Sequence, residues 1–61
     1  MAATVELYKG SAGEFRWRLR HQNTNIIADS GEGYHNKADA INGIESVKEN
    51  APTSPIEDQT D

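Results

Sequence analysis

The sequence predicts an α+β fold in which three antiparallel strands form a sheet and one helix packs on one face of that sheet. Three observations support this prediction. Residues 3–9 and 14–21 alternate apolar and polar side chains, which is typical of half-buried strands. Residues 37–50 instead carry apolar side chains at helical spacing. Gly-rich and Ser-rich stretches at residues 10–13 and 30–33 indicate turns between these segments.

The first two predicted strands form a hairpin whose register follows from their apolar faces. These apolar residues occupy alternate positions of residues 3–9 and 14–21: Val5, Leu7, Phe15, Trp17 and Leu19. Because residues opposite each other in an antiparallel pair share a face, the two apolar sets must pair with each other. This pairing requires a hairpin loop with an odd number of residues, and it places Glu6 opposite Arg16 or Arg18.

A third strand is predicted at about residues 26–30, after a turn at residues 22–25. If Asn23 and Thr24 form a two-residue turn, two cross-strand pairs follow: Arg18 with Asp29, and Arg20 with Ile27.

Residues 37–50 are predicted to form one helix. Asn36 is a suitable N-cap, Asp39 lies in the first turn, and Pro52 prevents the helix from continuing. The residues that form its core-facing stripe are Ala40, Ile41, Ile44, Val47 and Ala51. A single helix covers one face of the sheet, and the opposite face stays open.

The chain is short for the core that it must build. Small domains usually need a disulfide, a metal or a partner chain, and these 61 residues contain no Cys. Disulfides and thiolate metal sites are therefore excluded, and a partner chain remains. We expect one domain, residues 1–61, with an ordered core at about residues 3–58, that depends on a partner chain.

Composition also bounds the location and the partners. The sequence has no signal-peptide pattern and no apolar run that approaches the roughly 20 residues of a membrane span, so we expect a cytoplasmic protein without a membrane partner. Six Lys and Arg residues against ten Asp and Glu give a net charge of −4, which argues against non-specific nucleic-acid binding by the whole surface.

Three motifs together resemble the YegP-like domain family of uncharacterised small proteins: FRWRL at residues 15–19, GY at residues 33–34, and NGIESVK at residues 42–48. The resemblance extends over about residues 5–58. It implies a β-β-β-α-β unit that occurs as a tandem repeat or as a homodimer, in which two units share one sheet and exchange their C-terminal strands. Since this chain holds one unit, the resemblance implies the homodimer. It carries over no catalytic residues.

The resemblance places the exchanged strand at Ile56, Glu57 and Asp58, which we expect to lie in the dimer interface together with Gly43 and Lys48. A glycine inside a helix costs roughly 1 kcal/mol, so Gly43 indicates close approach to the sheet or to a second subunit. Lys48 lies within the apolar stripe. Either its stem lies along the core with the ammonium group in water, or it pairs with a carboxylate of the partner chain.

The main candidate for binding is the arginine face, which we define as Arg16, Arg18, Arg20 and Tyr8. Spacing of two residues places the three guanidinium groups roughly 7 Å apart on the open face of the sheet. They either grip phosphates or a carboxylate-rich partner, or form a solvated face paired to Glu6 and Asp29. Tyr8 is the one aromatic side chain expected among them, which weakens an RNA base-stacking interpretation.

Other candidate sites are weaker. The backbone of Gly31, Glu32 and Gly33 could hold an anion before the helix, or it could simply be a loop that needs glycine. His35 and Asp39 are two ligands without an evident third, so we expect no metal and no cofactor. We find no set of nucleophile, base and orienting group, and therefore expect that the protein is not an enzyme.

The leading functional hypothesis is a small non-catalytic homodimeric binding module of unknown ligand. One alternative is an RNA-binding or phosphate-binding protein that uses the arginine face. A second alternative is a structural or stress-related protein without a specific ligand. The expected partners are therefore a second copy of the chain and, beyond it, a protein or an RNA.

Overall fold

The computed structural model describes residues 2–22 and 24–61. Three strands precede one helix and a short 3-10 helix, in this order: β1 (Ala3–Lys9), β2 (Phe15–His21), β3 (Asn25–Asp29), α1 (Lys37–Asn50) and the 3-10 helix (Ala51–Thr53). The predicted α+β class and the order of these elements are confirmed. Within the described ranges, no helix combines the length and the apolar character that crossing a membrane requires.

The register of β1 against β2 is one of those that the apolar faces allow. The strands are antiparallel, and Val5 lies opposite Leu19 while Leu7 lies opposite Trp17. The connecting loop has five residues, an odd number as required. Glu6 consequently lies opposite Arg18, on the other face of the sheet.

The pairing of β2 with β3 differs from the prediction at one position. Arg18 lies opposite Asp29 as expected, but Arg20 lies opposite Ile26 instead of Ile27, with a bulge where the register shifts. The cause is the turn, because His21 pairs with Asn25 and leaves three connecting residues instead of two. The predicted turn residue Asn23 lies outside the described residues.

The backbone beside that turn explains why a two-residue turn is disfavoured. Two-residue hairpin turns need positive φ at one or both central positions, and β-branched Thr24 adopts such a conformation poorly. In the structure the positive φ, 51°, falls on Gln22, and the Thr24 N–H donates to the carbonyl of His21 at 3.0 Å.

Helix α1 begins and ends where the sequence predicts. Asn36 has the extended backbone of an N-cap, φ −113° and ψ 142°, but its side chain accepts no capping bond. Its amide instead donates to Asp39 at 3.3 Å. At the other end, the Ala51 N–H donates to the carbonyl of Val47, and Pro52 stands in the 3-10 helix that follows.

The core lies between the sheet and α1 and is centred on Trp17, which is 7% exposed, and on fully buried Ala40. Gly43 allows the helix to approach closely. A Cβ there would lie 2.7 Å from the hydroxyl of Tyr34 and 3.5 Å from Nε1 of Trp17. The backbone of Tyr34 exchanges two hydrogen bonds with Phe15, at 2.9 and 2.8 Å, which anchors the segment before α1 to β2.

The C-terminal tail, residues 54–61, is exposed and forms no ladder with the described strands. The predicted fifth element, the exchanged strand at residues 56–58, is not formed in the single chain, where Ile56 is 96% exposed. The physical reason is that a strand needs a neighbouring strand to satisfy its backbone N–H and C=O groups. The β-β-β-α part of the predicted unit is confirmed.

Replacement of Trp17 tests the position of the core. Because Trp17 is buried between sheet and helix, Trp17→Ala should lower the free energy of unfolding by about 3–5 kcal/mol, enough to unfold so small a domain. Trp17→Phe keeps an aromatic ring and should cost less. Urea denaturation measures both changes. A red-shifted, quencher-accessible Trp17 fluorescence in the native protein would contradict this placement.

Candidate functional site

The arginine face lies on the side of the sheet opposite α1, as the alternation predicts. Arg18 and Arg20 both donate from Nε to the same atom, Oε1 of Glu6, at 2.7 and 3.0 Å. Arg16 donates from Nε to Oε1 of Glu14 at 2.9 Å. A guanidinium has five N–H donors, and each of these bonds uses one of them. The row is thus held in place by carboxylates while its side chains stay 23–36% exposed.

Tyr8 belongs to the same face and is covered by Arg18. The guanidinium carbon of Arg18 lies 4.4 Å from the centroid of the Tyr8 ring, within the range of a cation–π contact. The ring face that a nucleobase would need for stacking is therefore already in contact with a cation on one side.

Glu14 is a member of this site that the sequence interpretation did not include. Its side chain occupies the space beside two glycines, because a Cβ on Gly10 would collide with its carboxylate and a Cβ on Gly33 would collide with its Cγ. Both glycines thus make room for the carboxylate that holds Arg16. The signal was present, since Glu14 stands two residues before Arg16 and shares its face.

Asp29 is hydrogen-bonded to the loop at residues 31–33. Asp29 lies opposite Arg18 in the register, but its Oδ1 accepts the N–H of Gly31 at 2.9 Å. That bond occupies an amide which the loop could have offered to an anion, and Gly31 has a φ of +72°. The structure thus supports the interpretation of this loop as one that needs glycine.

The charges of the arginine face influence one another. Hydrogen bonds from Arg18 and then Arg20 lower the pKa of Glu6, and the hydrogen bond from Arg16 lowers the pKa of Glu14. The same bonds raise the pKa of Arg18 and of Arg16. All these groups are therefore charged at neutral pH, when the three guanidinium groups outnumber these two carboxylates.

A second candidate site is an apolar groove of about 310 Å³ between the sheet and α1. We call it the helix–sheet groove, and these residues line it: Val5, Trp17, Leu19, Ala28, Ile44, Val47, Lys48, Ala51 and Pro52. Lys48 is one of the residues that line this groove, which is compatible with both interpretations of its side chain. Gly43 faces Trp17 and Tyr34 of its own chain, which explains this glycine by approach to the sheet.

The three tail residues assigned to the dimer interface have few contacts in the single chain. Ile56 is almost wholly exposed, and Glu57 accepts a hydrogen bond from the amide of Gln59 at 2.7 Å. Asp58 accepts two bonds on Oδ1 from Thr60, at 3.0 Å from N and 2.6 Å from Oγ1. These bonds lower the pKa of Asp58.

Among residues 2–22 and 24–61, no group of three or more His, Asp or Glu side chains could hold a metal ion. Of the suggested pair, His35 is exposed and Asp39 accepts a hydrogen bond from Asn36.

Comparison with known proteins places this chain among small domains of similar length and fold. Residues 11–58 match a family model described as a domain of unknown function, DUF1508. A UPF0339 protein of Mesorhizobium japonicum is 43% identical over 60 residues, which are 98% of this chain and 100% of that protein. A protein of Haloferax volcanii with an NMR solution structure is 52% identical, with a TM-score of 0.86 over 92% of this chain and 93% of that one.

One relative is longer than this chain. The UPF0339 protein in the 5′ region of the ptx operon of Stutzerimonas stutzeri is 52% identical over 52 residues, which are 85% of this chain but 46% of that protein. This chain therefore spans about half the length of that relative.

The lowered pKa of Glu6 gives a pH-dependent prediction. A carboxylate whose pKa is lower in the folded state than in the unfolded state stabilises the fold at pH values above its unfolded-state pKa, which is about 4.5 for Glu6. This stabilisation is lost as the pH falls through the folded-state pKa. Glu6→Gln should therefore lower the thermal midpoint at pH 7, and its difference from the wild type should shrink as pH falls below about 4.5. Thermal denaturation monitored by circular dichroism between pH 7 and pH 3 measures this difference.

The control for this experiment is the double variant Arg18→Gln/Arg20→Gln. In that background, Glu6→Gln should have little further effect, because the donors that lower the pKa of Glu6 are gone. An equal effect of Glu6→Gln in both backgrounds would show that Glu6 stabilises the fold through other contacts.

Proposed function

Because the chain belongs to the DUF1508 family, as its YegP-like motifs indicated, we propose that it is a non-catalytic homodimeric binding module. The observation that carries this proposal is the open helix–sheet groove. Of the described apolar side chains only Trp17 and Ala40 are buried, whereas Ile41 and Val47 on α1 remain 40% and 44% exposed. A domain with so little buried apolar surface needs a second chain.

The tail of a second copy is the occupant that fits this groove. Ile56 is an exposed apolar side chain, and burying an isoleucine is worth roughly 1.5–3 kcal/mol. The tail has no secondary structure of its own, and β1 and β3 are the edge strands of the described sheet, so an incoming segment can pair with a free edge. A two-fold axis would let each copy insert its tail into the other and close the assembly.

The length of one relative supports a two-unit assembly. The Stutzerimonas protein is about twice as long as the segment that matches this chain, which leaves room for a second unit of this size in one polypeptide. Two copies of the present chain would supply the same number of units through dimerisation.

The arginine face supports the binding part of the proposal. It lies opposite the helix–sheet groove, so filling the groove leaves it accessible. Arg18 and Arg20 already converge on one carboxylate oxygen, that of Glu6, and this convergence supports a carboxylate ligand. Ile26, opposite Arg20 and 54% exposed, adds an apolar contact to the same surface. We infer that the partner is an acidic protein segment.

This geometry favours an acidic protein segment over RNA for two reasons. The ring of Tyr8 is covered by Arg18, so the face lacks a free stacking platform of the kind that single-stranded RNA uses. The net charge of −4 also opposes the approach of a long polyanion, whereas a short acidic segment meets mainly the local arginines.

Dimerisation is tested by sedimentation equilibrium over a range of protein concentrations. The wild type should sediment as a dimer, and its thermal midpoint should rise with concentration. Ile56→Asp should shift the equilibrium to monomer, whereas Ile56→Val, which keeps the apolar anchor, should remain dimeric. A chain truncated after Ala51 should be monomeric and largely unfolded. A stably folded wild-type monomer at all concentrations would refute the homodimer.

Ligand binding is tested by an NMR titration that follows the backbone amide resonances of β1 and β2, which wild type and variant share, together with the Arg Nε–H resonances. A decaglutamate peptide should shift the signals of the arginine face, and salt should weaken the interaction. The triple variant Arg16→Gln/Arg18→Gln/Arg20→Gln should remain folded, since exposed ion pairs contribute little, but should lose the response. If a decauridylate RNA shifts these signals and the peptide does not, the ligand of this face is RNA and not an acidic protein segment. No response to either would refute the binding face.

A further inference from the structure

Lys48 has an unusual position for a charged side chain. It lies in the last turn of α1 and lines the apolar helix–sheet groove beside Val47 and Pro52. The three ion pairs found among residues 2–22 and 24–61 all use arginines, so Lys48 has no carboxylate partner among these residues. The ammonium group of Lys48, at the rim of this apolar groove, can therefore contact an anionic group on the segment that fills the groove.

The tail carries charge of the opposite sign. Residues 52–61 contain Glu57, Asp58 and Asp61 and no Lys or Arg. In an extended segment, side chains two residues apart share a face, so Asp58 lies on the side of Ile56 while Glu57 lies on the other side. When Ile56 enters the groove, Asp58 therefore follows it roughly 7 Å further along the tail.

The carboxylate of Asp58 is also oriented. Its Oδ1 accepts both the N–H and the hydroxyl of Thr60, at 3.0 and 2.6 Å. These bonds direct one oxygen back to the tail, and the second oxygen, Oδ2, is the one placed to accept a bond from a lysine.

On the basis of the proposed homodimer, we propose that Lys48 of each subunit forms an ion pair with Asp58 of the other subunit's tail. The pair fixes the register of the tail, because a shift by one residue would bring Glu57 or Gln59 to the groove side and turn Ile56 away from it. Ile56 supplies the apolar contact, and the Lys48–Asp58 pair selects which position along the tail enters the groove.

A position in the last helical turn gives Lys48 a second stabilising effect. A cation there interacts favourably with the helix dipole whether or not a second subunit is present. The ion pair requires the tail of the second subunit, whereas the interaction with the helix dipole does not. Substitution of Lys48 alone would remove both effects and would not separate them.

Mixing two charge-swapped variants of the full chain separates the effect of the ion pair from that of the helix dipole. In Lys48→Glu homodimers two acidic groups face each other at each pair, and in Asp58→Lys homodimers two basic groups do. Both variants should dimerise at least about fivefold more weakly than the wild type, from the ordinary strength of exposed ion pairs. In a mixed dimer both pairs join opposite charges, so mixing should restore dimerisation to within about threefold of the wild type. Native mass spectrometry with one isotope-labelled variant measures the mixed dimer.

Glu57→Lys is the matched control, since Glu57 lies on the other side of the tail. Its mixture with Lys48→Glu should show no preference for mixed dimers. A statistical distribution of dimers in the Lys48→Glu and Asp58→Lys mixture would overturn the pairing, as would equal rescue by Glu57→Lys. If the wild type is monomeric, the homodimer and the pairing fall together, whereas a wild-type dimer without charge-dependent mixing overturns the pairing alone.

Discussion

The constraint on which the rest of this structure depends is that one helix has to cover the apolar face of a three-stranded sheet. Helix α1 has 14 residues, and among the residues that the structure describes Trp17 is the one large side chain that it and the sheet bury together. Gly43 improves the contact by allowing the indole and the Tyr34 hydroxyl to approach the helix backbone. Beyond this contact the layers diverge, and the apolar side chains between them line a groove instead of a closed core.

The opposite face of the sheet is organised by charge instead of by burial. Glu6 joins β1 to two arginines of β2, and Glu14 holds the third arginine from the loop before β2. These contacts restrict the rotamers of the arginine side chains. They contribute little to the stability of the fold, because exposed ion pairs are weak. Because these arginines already have restricted rotamers, they would lose less conformational entropy on binding a partner. The ion-pair network can thus favour recognition although it stabilises the fold only weakly.

The two faces place different demands on a partner. In the proposed function, the apolar helix–sheet groove takes a segment with an apolar anchor, whereas the arginine face takes carboxylates. The tail carries an apolar anchor, Ile56, and also acidic residues beside it. The proposed dimer places the tail on the side of the sheet where apolar surface is still exposed, since burial of a large apolar side chain outweighs an exposed ion pair.

The sequence by itself determined the order of the elements, the bounds of α1 and the assignment of Trp17 and the arginines to opposite faces, because hydrophobic periodicity encodes which side of an element is buried. It also restricted β1 and β2 to registers that pair their apolar sets, and the structure chose among these the one with Val5 opposite Leu19. The tertiary structure alone decided the bulge opposite Arg20, the place of Glu14 beside Gly10 and Gly33, and the unpaired state of the tail. These features depend on the backbone angles of single residues and on contacts between segments distant in sequence, which local periodicity does not encode.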